Sequence, residues 1–263
     1  MNQTNRMQKY GNWALVTGAS DGIGKAFAYE LGKSSINHVL VARNRASLEQ
    51  IQADLIAKEN IQVQIIAADL SIPEDRKKVL EQTQEMDIGL FVAAAGFGTS
   101  GQFMDNTLEE ELSMIDVNCR AVAEQTHVFA NRFQKRGRGG IILFGSLVGF
   151  QGVPRAANYA ATKAFIQTLA EGLHYELKPF GVDVLSVAPG PINSGFGKRA
   201  NMKMGNGGTP EVVAKESLQA LGKKITVRPG FLSKFLEFSL TVPRPFRTRI
   251  MAIVMGGMTK HRS

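Results

Sequence analysis

The first 190 residues alternate between short apolar runs and longer segments with helical periodicity. Each apolar run has the length of a strand and is a nearly continuous stretch of valine, isoleucine, leucine and alanine, without regular polar alternation. A strand that is apolar on both sides has to be covered on both sides, which is the situation of parallel strands wrapped by helices. The predicted strands are residues 13–19, 38–43, 62–69, 89–96, 139–146 and 182–190.

The segments between these strands are predicted helices. They lie at 22–33, 46–58, 107–136 and 156–178, with one more beginning near Pro73. This alternation predicts an α/β fold, a Rossmann-type doubly wound parallel sheet with helices on both faces. No linker divides the 263 residues, so we expect a single domain, residues 1–263, whose core spans about 11–192.

Composition excludes several classes of protein. The single cysteine, Cys119, rules out an intrachain disulfide and favours a reducing compartment. A lone cysteine in a helix is usually a small core residue rather than a redox group. Four scattered histidines offer no metal-ligand spacing, so no metal is expected. The polar N-terminus has no apolar signal region and no run of 18 apolar residues occurs, so we expect a cytoplasmic protein.

The net charge of +8 is concentrated near the C-terminus. From Arg228 onward there are seven basic residues and one acidic residue, Glu237, which leaves the rest of the chain near neutral. A basic segment rich in phenylalanine, leucine, isoleucine and methionine is more typical of a membrane-surface or lipid-facing segment than of a nucleic-acid groove. We therefore expect no nucleic-acid partner.

This C-terminal extension, about 228–263, has two amphipathic patterns. Phe231, Phe235 and Phe238 fall at helical spacing, and a second helix is predicted around Phe246 and Ile250 with basic residues at its polar flank. Three interpretations stay open. The apolar faces pack on the domain or on a partner subunit, they wall an apolar substrate pocket, or they touch a membrane surface.

Residues 191–208, the substrate loop, are rich in glycine and have little periodicity. They are either a disordered connector or a lid, because loops at the carboxyl ends of parallel strands border the ligand crevice.

The motif TGASDGIG, residues 17–24, follows the first strand and opens a helix. Gly18 permits a sharp turn, Gly22 lets a phosphate approach the backbone, and Gly24 lets the helix pack close to the strand. The helix N-terminus then offers N–H groups to a pyrophosphate. This placement predicts a dinucleotide site.

The end of the second strand indicates which dinucleotide the site binds. An acidic residue that binds the ribose hydroxyls is expected there for NAD, but this chain has Ala42 followed by Arg43. A guanidinium can grip a 2′-phosphate, and Ser20 could add a hydroxyl donor, so we predict NADP(H). The alternative is a solvated arginine at a strand end. Asp69, at the end of the third strand, either meets the adenine or caps a turn.

Two Tyr-x-x-x-Lys pairs occur, and at this spacing each pair lies on one face of a helix. Tyr29 and Lys33 are on the first crossover helix, too far from its start to reach the crevice, so they are assigned to structure. Tyr159 and Lys163 begin the helix that follows the fifth strand, and Ser146 ends that strand, where ligands bind in such sheets. The second pair is therefore the candidate for chemistry.

Over about residues 11–192 the chain resembles the classical short-chain dehydrogenases/reductases. The motifs that carry the resemblance are TGASDGIG, AAAG (93–96), Asn118 in DVNC, Ser146, YAATK (159–163) and APG (188–190). One position departs from the family, which usually has asparagine at Ala93. That asparagine mainly ties strands together, so we expect its absence to affect local stability more than chemistry.

The resemblance implies a catalytic tetrad. Tyr159 exchanges a proton with the substrate oxygen, and Ser146 hydrogen-bonds that oxygen. Lys163 binds the nicotinamide ribose and lowers the pKa of the phenol, and Asn118 holds a water that links the lysine to solvent. A phenol of pKa near 10 is a poor acid at neutral pH, and a nearby ammonium favours its ionised form.

Together with the glycine motif and Arg43, the resemblance gives the expected cofactor contacts. They are Gly18, Ser20, Gly22, Ile23, Gly24, Arg43, Asp69, Leu70, Ala95, Gly96, Tyr159, Lys163, Pro189, Gly190 and Ile192.

We therefore expect an NADP(H)-dependent oxidoreductase that interconverts a ketone and a secondary alcohol by hydride transfer, with Tyr159 as general acid/base. Apolar, basic extensions of this kind resemble those of family members that reduce lipid-like ketones. The resemblance also implies a homodimer or homotetramer built on the helices at 107–136 and 156–178. The alternatives are a non-catalytic NADP(H)-binding sensor and a peripheral membrane protein with vestigial enzymology; the intact tetrad argues against the sensor.

Overall fold

The computed structural model describes residues 7–202, 207–231, 233–234 and 241–259. Within these residues one seven-stranded sheet has the order β3-β2-β1-β4-β5-β6-β7, and every neighbouring pair is parallel. The strands are β1 Trp13–Thr17, β2 Asn37–Ala42, β3 Val63–Ala67, β4 Ile88–Ala93, β5 Gly139–Phe144, β6 Val182–Val187 and β7 Thr226–Val227. The predicted Rossmann-type fold is confirmed.

Helices cover both faces of the sheet. The α-helices of the described residues are α1 Gly22–Gly32, α2 Arg45–Glu59, α3 Pro73–Gln82, α4 Leu108–Ile115, α5 Ala121–Arg136, α6 Ala157–Leu177, α7 Gly195–Arg199, α8 Pro210–Ala220 and α9 Arg244–Met258. Successive residues of the central strand β1 point into two separate cores: Leu15 packs in the core of Phe91 and Phe129, and Val16 packs in the core of Leu40. This is why the strands lack polar alternation.

The helix predicted at 107–136 is confirmed in extent, from Leu108 to Arg136, but it is not a uniform α-helix. Thr107 starts α4 with a capping box that includes Glu110, but the helix changes to a π-helical turn at Asp116–Arg120 before α5 begins. Such a turn holds one extra residue and is frequent at functional sites. The apolar pattern does not predict this π-helical turn, because the turn is stabilised by side-chain hydrogen bonds from Asn118 to Phe97 and Thr162.

Most predicted strands extend too far at their carboxyl ends. β4 stops at Ala93, β5 at Phe144 and β6 at Val187, because the residues that follow leave the sheet and turn outward around a cleft. Ser146 is accordingly not the last residue of β5. It is the N-cap of a short 3₁₀ helix, Leu147–Phe150.

The region after β6 contains elements that the sequence pattern did not predict. These are α7 inside the substrate loop, α8, and the two-residue strand β7. The second amphipathic helix of the extension is confirmed as α9, whereas Phe235 and Phe238 lie outside the described residues. In the described part of the chain, no helix is both long and apolar enough to span a bilayer.

Candidate active site

A cavity of about 620 Å³ opens at the carboxyl ends of the strands, within the usual size range of a small-molecule site. Two predicted residues, Asn118 and Lys163, do not line it and lie behind its wall. The predicted residues that line it are Gly18, Ser20, Gly22, Ile23, Gly24, Arg43, Asp69, Leu70, Ala95, Gly96, Ser146, Tyr159, Pro189, Gly190 and Ile192.

The glycine motif forms one end of the cavity. Gly18 and Gly22 have φ angles of +65° and +52°, in the left-handed region that favours glycine. A Cβ on Gly24 would overlap the carbonyl of Gly18, so only glycine lets α1 pack this close to β1. The side chain of Asp21, the N-cap of α1, makes no capping hydrogen bond. The first N–H groups of α1 therefore lack a side-chain cap, which fits the pyrophosphate of a dinucleotide.

Arg43 and Asp69 stand side by side at the ends of β2 and β3, with 3.6 Å between Nη1 and Oδ2. The other carboxylate oxygen of Asp69 accepts hydrogen bonds from the backbone N and Oγ of Ser71, at 2.9 and 2.7 Å. Partial burial opposes ionisation, but the bonds from Ser71 and the Arg43 charge together hold the pKa of Asp69 below its ordinary value. Asp69 thus caps a turn and also faces the cavity.

Tyr159 lies in the first turn of α6 and lines the cavity together with Ser146. Burial raises the pKa of the phenol above its ordinary value, and interaction with the Ser146 side chain offsets part of that rise. The Ser146 hydroxyl also lies 3.4 Å from the carbonyl oxygen of Pro189. The phenol is therefore neutral at neutral pH. Burial outweighs the lowering of its pKa that was expected from Lys163.

Lys163 is buried, with 8% of its surface exposed. Its Nζ donates a hydrogen bond to the carbonyl of Phe144 at 2.9 Å and lies 5.7 Å from the centre of the Tyr159 ring. Burial lowers the pKa of Lys163 to about 8. A Cβ on Gly96 would come within 3.6 Å of this nitrogen, so Gly96 keeps the wall between the lysine and the cavity thin.

Asn118 is buried behind the same wall and fastens three segments together. Its Oδ1 accepts a hydrogen bond from the backbone N of Phe97 at 3.1 Å. Its Nδ2 donates to the carbonyl of Phe97 at 2.8 Å and to Oγ1 of Thr162 at 3.0 Å.

Near Ala93, where the family usually has asparagine, the hydroxyl of Thr17 accepts a hydrogen bond from the backbone N of Ala95 at 3.1 Å. This bond connects the turn after β4 to β1.

The first tyrosine–lysine pair has structural partners. Tyr29 donates a hydrogen bond to Asp54 at 3.0 Å, and Lys33 pairs with Glu30 at 2.9 Å. Neither residue lines the large cavity.

Two further walls of the cavity come from segments whose role the sequence left open, and none of their residues was assigned to the site from the sequence except Ile192. In α7, the Phe196 ring lies 5.3 Å from that of Tyr159, and the Arg199 guanidinium lies 3.8 Å from the centre of the Phe97 ring. The glycine-rich composition of the substrate loop concealed this short helix. The other wall is one face of α9, which agrees with the interpretation that the extension walls an apolar pocket. Its residues at the cavity are Ile250, Met251, Val254, Met255 and Met258.

Other chemistry-bearing groups are not assembled into a site. Burial raises the pKa of the half-buried Cys119 thiol to about 11, which disfavours a reactive thiolate. Within the described residues, no three His, Cys, Asp or Glu side chains are grouped closely enough to hold a metal ion.

The family model for short chain dehydrogenases matches residues 12–205. The chain belongs to the short-chain dehydrogenase family. It is 32% identical over 234 residues to a 7beta-hydroxysteroid dehydrogenase of Clostridium sardiniense, covering 88% of this chain and 90% of that protein. It is 29% identical over 255 residues to a very-long-chain 3-oxoacyl-CoA reductase of Mus musculus, covering 94% and 80%.

Solved structures of this family superpose closely. One is a 7beta-hydroxysteroid dehydrogenase, with a TM-score of 0.87 and 26% identity over 95% of this chain and 99% of that one. Another is a short-chain dehydrogenase from Sphingobium yanoikuyae in complex with NADPH, with a TM-score of 0.79 and 29% identity over 86% and 92%. As a short-chain dehydrogenase, this protein is an oxidoreductase that acts on CH–OH or C=O groups.

Proposed function

We propose that this short-chain dehydrogenase uses NADP(H) to interconvert a ketone and a secondary alcohol on an apolar, lipid-like substrate. The observation that carries the proposal is the position of Tyr159 and Ser146 in one cavity with the apolar face of α9. A carbonyl at the pair would leave the rest of its molecule against methionine, valine and isoleucine side chains.

The chemistry needs a proton at the oxygen on which charge develops. Tyr159 supplies it as general acid, and takes it back in the reverse direction. Ser146 donates a hydrogen bond that orients the carbonyl and stabilises the developing charge. The bound nicotinamide supplies or accepts the hydride.

Lys163 and Asn118 act from behind the wall. The buried ammonium of Lys163 favours the ionised phenol, because a positive charge in a low-dielectric setting is weakly screened. Asn118 positions the Phe97 backbone and Thr162, which lies one residue before the lysine. We assign Asn118 the additional role, implied by the family, of holding a water that links Lys163 to solvent.

NADP(H) is the cofactor that these residues favour. Arg43 faces the cavity beside Asp69, and Ala42 brings no carboxylate that would repel a 2′-phosphate. The NADPH complex of the Sphingobium yanoikuyae relative supports this choice. The adenine would lie near Asp69 and Leu70, and the other predicted contacts would line the path from Gly18 and its neighbours to the nicotinamide end.

The substrate is proposed to be bulky and apolar. The two named relatives act, by their names, on a hydroxysteroid and on a very-long-chain 3-oxoacyl-CoA, both of which carry the reacting carbon on a large apolar skeleton. Five α9 side chains at the cavity supply a matching surface.

A homodimer or homotetramer is proposed through the helices at 107–136, which are α4 and α5, and through α6. Leu108 and Leu112 on α4 and Phe165 on α6 are exposed apolar side chains on the helices that the family resemblance assigned to the interface. Phe246 and Ile253 are exposed apolar side chains on the outer side of α9. We propose that they make a weak contact with a membrane surface.

The test is NADPH oxidation against ketones graded from short chains to long-chain and steroidal compounds. We expect turnover to rise with apolar bulk. Val254→Glu, which places a charge at the cavity, should lower kcat/KM for the bulky ketones. The matched control Ile253→Glu alters a neighbouring residue outside the cavity and should not. Tight NADPH binding without turnover on any ketone would overturn the proposal and favour an NADP(H) sensor.

A further inference from the structure

The short helix α7 is fastened at both ends across the cavity. At its start, the backbone N of Gly195 donates a hydrogen bond to Oδ2 of Asp21 in the glycine motif at 3.0 Å. Just after its end, the carbonyl of Ala200 accepts a bond from the hydroxyl of Ser100 at 2.6 Å. α7 therefore bridges from the glycine motif to the segment after β4, and its side chains are held over the space between them.

Arg199, the last residue of α7, faces this space. Its guanidinium stacks over Phe97, with its central carbon 3.8 Å from the ring centre, an arrangement that fixes a planar cation. Arg199 lines the same cavity as Arg43 and Asp69. In the described part of the chain, Arg199 forms no ion pair.

Two guanidinium groups, Arg43 and Arg199, and two carboxylates, Asp21 and Asp69, line the cavity. Partial burial and the Arg43 charge lower the pKa of Arg199, while Asp69 acts in the opposite direction. Both carboxylates are already engaged: Asp21 accepts a hydrogen bond from the Gly195 backbone, and the oxygens of Asp69 are held by Ser71 and Arg43. Two guanidinium groups that line one cavity, where both carboxylates are already engaged, favour the binding of a further anion of high charge.

We propose that Arg199 is a second ligand of the cofactor's 2′-phosphate, opposite Arg43. Discrimination between NADP and NAD then depends on the substrate loop as well as on the end of β2. The inference rests on the proposed use of NADP(H). It assigns part of the preference for NADP(H) over NAD(H) to Arg199, which neither the glycine motif nor the end of the second strand indicates.

The test measures binding rather than turnover. Adenosine 2′,5′-bisphosphate and adenosine 5′-monophosphate are titrated by calorimetry into the full chain as wild type, Arg199→Met, Arg43→Met and Lys198→Met. Lys198→Met is the matched control, because it removes one positive charge from the same helix at a side chain that does not line the cavity.

We expect Arg199→Met to weaken binding of the bisphosphate about tenfold and to leave the monophosphate unchanged, as loss of one charge-assisted phosphate contact predicts. Arg199→Lys, which keeps the charge but not the paired donors, should fall between. Lys198→Met should change neither affinity.

Two outcomes separate the inference from the proposed function. If wild type prefers the bisphosphate and only Arg43→Met removes that preference, the role of Arg199 is overturned and the NADP(H) proposal stands. If wild type binds both nucleotides equally, both are overturned.

Discussion

The ammonium nitrogen of Lys163 lies 5.7 Å from the centre of the Tyr159 ring and is held there by the carbonyl of Phe144, the last residue of β5, at 2.9 Å. The lysine is thus anchored to the sheet, one helical turn below the phenol. It contributes a buried positive charge while the tyrosine and Ser146 face the cavity.

Stability should depend on pH through Lys163. Burial lowers its pKa from an ordinary 10.5 to about 8, so between these values the folded protein has released a proton that the unfolded chain still binds. Stability from this group therefore rises with pH across that window. The free energy of unfolding, wild type minus Lys163→Met, should increase between pH 7.5 and pH 10 in urea titrations. An equal difference at the two pH values would show that the ammonium is not buried.

Removing the Ser146 hydroxyl should slow chemistry without weakening the cofactor. Ser146→Ala takes away the hydrogen bond that the substrate oxygen would receive, and loss of one such donor lowers kcat about 10²- to 10³-fold. NADPH affinity, measured by fluorescence titration, should stay unchanged. Ser146→Thr keeps a hydroxyl and should retain much of the rate. A variant Ser146→Ala with wild-type kcat would remove the serine from the mechanism.

Two glycine-to-alanine changes should have opposite effects. In Gly24→Ala the new Cβ would overlap the Gly18 carbonyl, so α1 must move away from β1, and both stability and NADPH binding should fall. In Gly172→Ala, within α6, the Cβ meets no atom within 4 Å. That change should stabilise the protein by about 0.5–1 kcal/mol, the ordinary helix preference for alanine. Thermal and urea unfolding of both variants tests the pair, and a neutral Gly24→Ala would contradict the packing argument.

Sequence patterns predicted the parts of the site that depend on local rules. Gly18, Gly22 and Gly24 each occupy the position that their backbone freedom or small size requires. The choice between Tyr29 and Tyr159 could be made from their distance to a helix start, because the carboxyl ends of parallel strands define where a ligand binds.

The parts that sequence reasoning missed depend on tertiary contacts. The π-helical turn around Asn118 is fixed by bonds to Phe97 and Thr162, residues far from it along the chain. β7 has two residues, too few for any periodicity. α8 is different, because Pro210 at its first turn was a readable start signal that was overlooked. The position of Arg199 over the cavity follows only from the anchoring of α7 at Asp21 and Ser100.

The role of Tyr159 as general acid and base is tested most directly by comparing NADPH oxidation by wild type, Tyr159→Phe and Tyr29→Phe on the best ketone substrate. Both variants delete one phenol oxygen at the same spacing from a lysine, and only Tyr159 lines the cavity with Ser146. We expect Tyr159→Phe to lose about 10²- to 10⁴-fold in kcat, the usual contribution of a general acid, while it binds NADPH as wild type does. Tyr29→Phe should keep its activity. Wild-type turnover by Tyr159→Phe would contradict the assignment of Tyr159 as the acid and base.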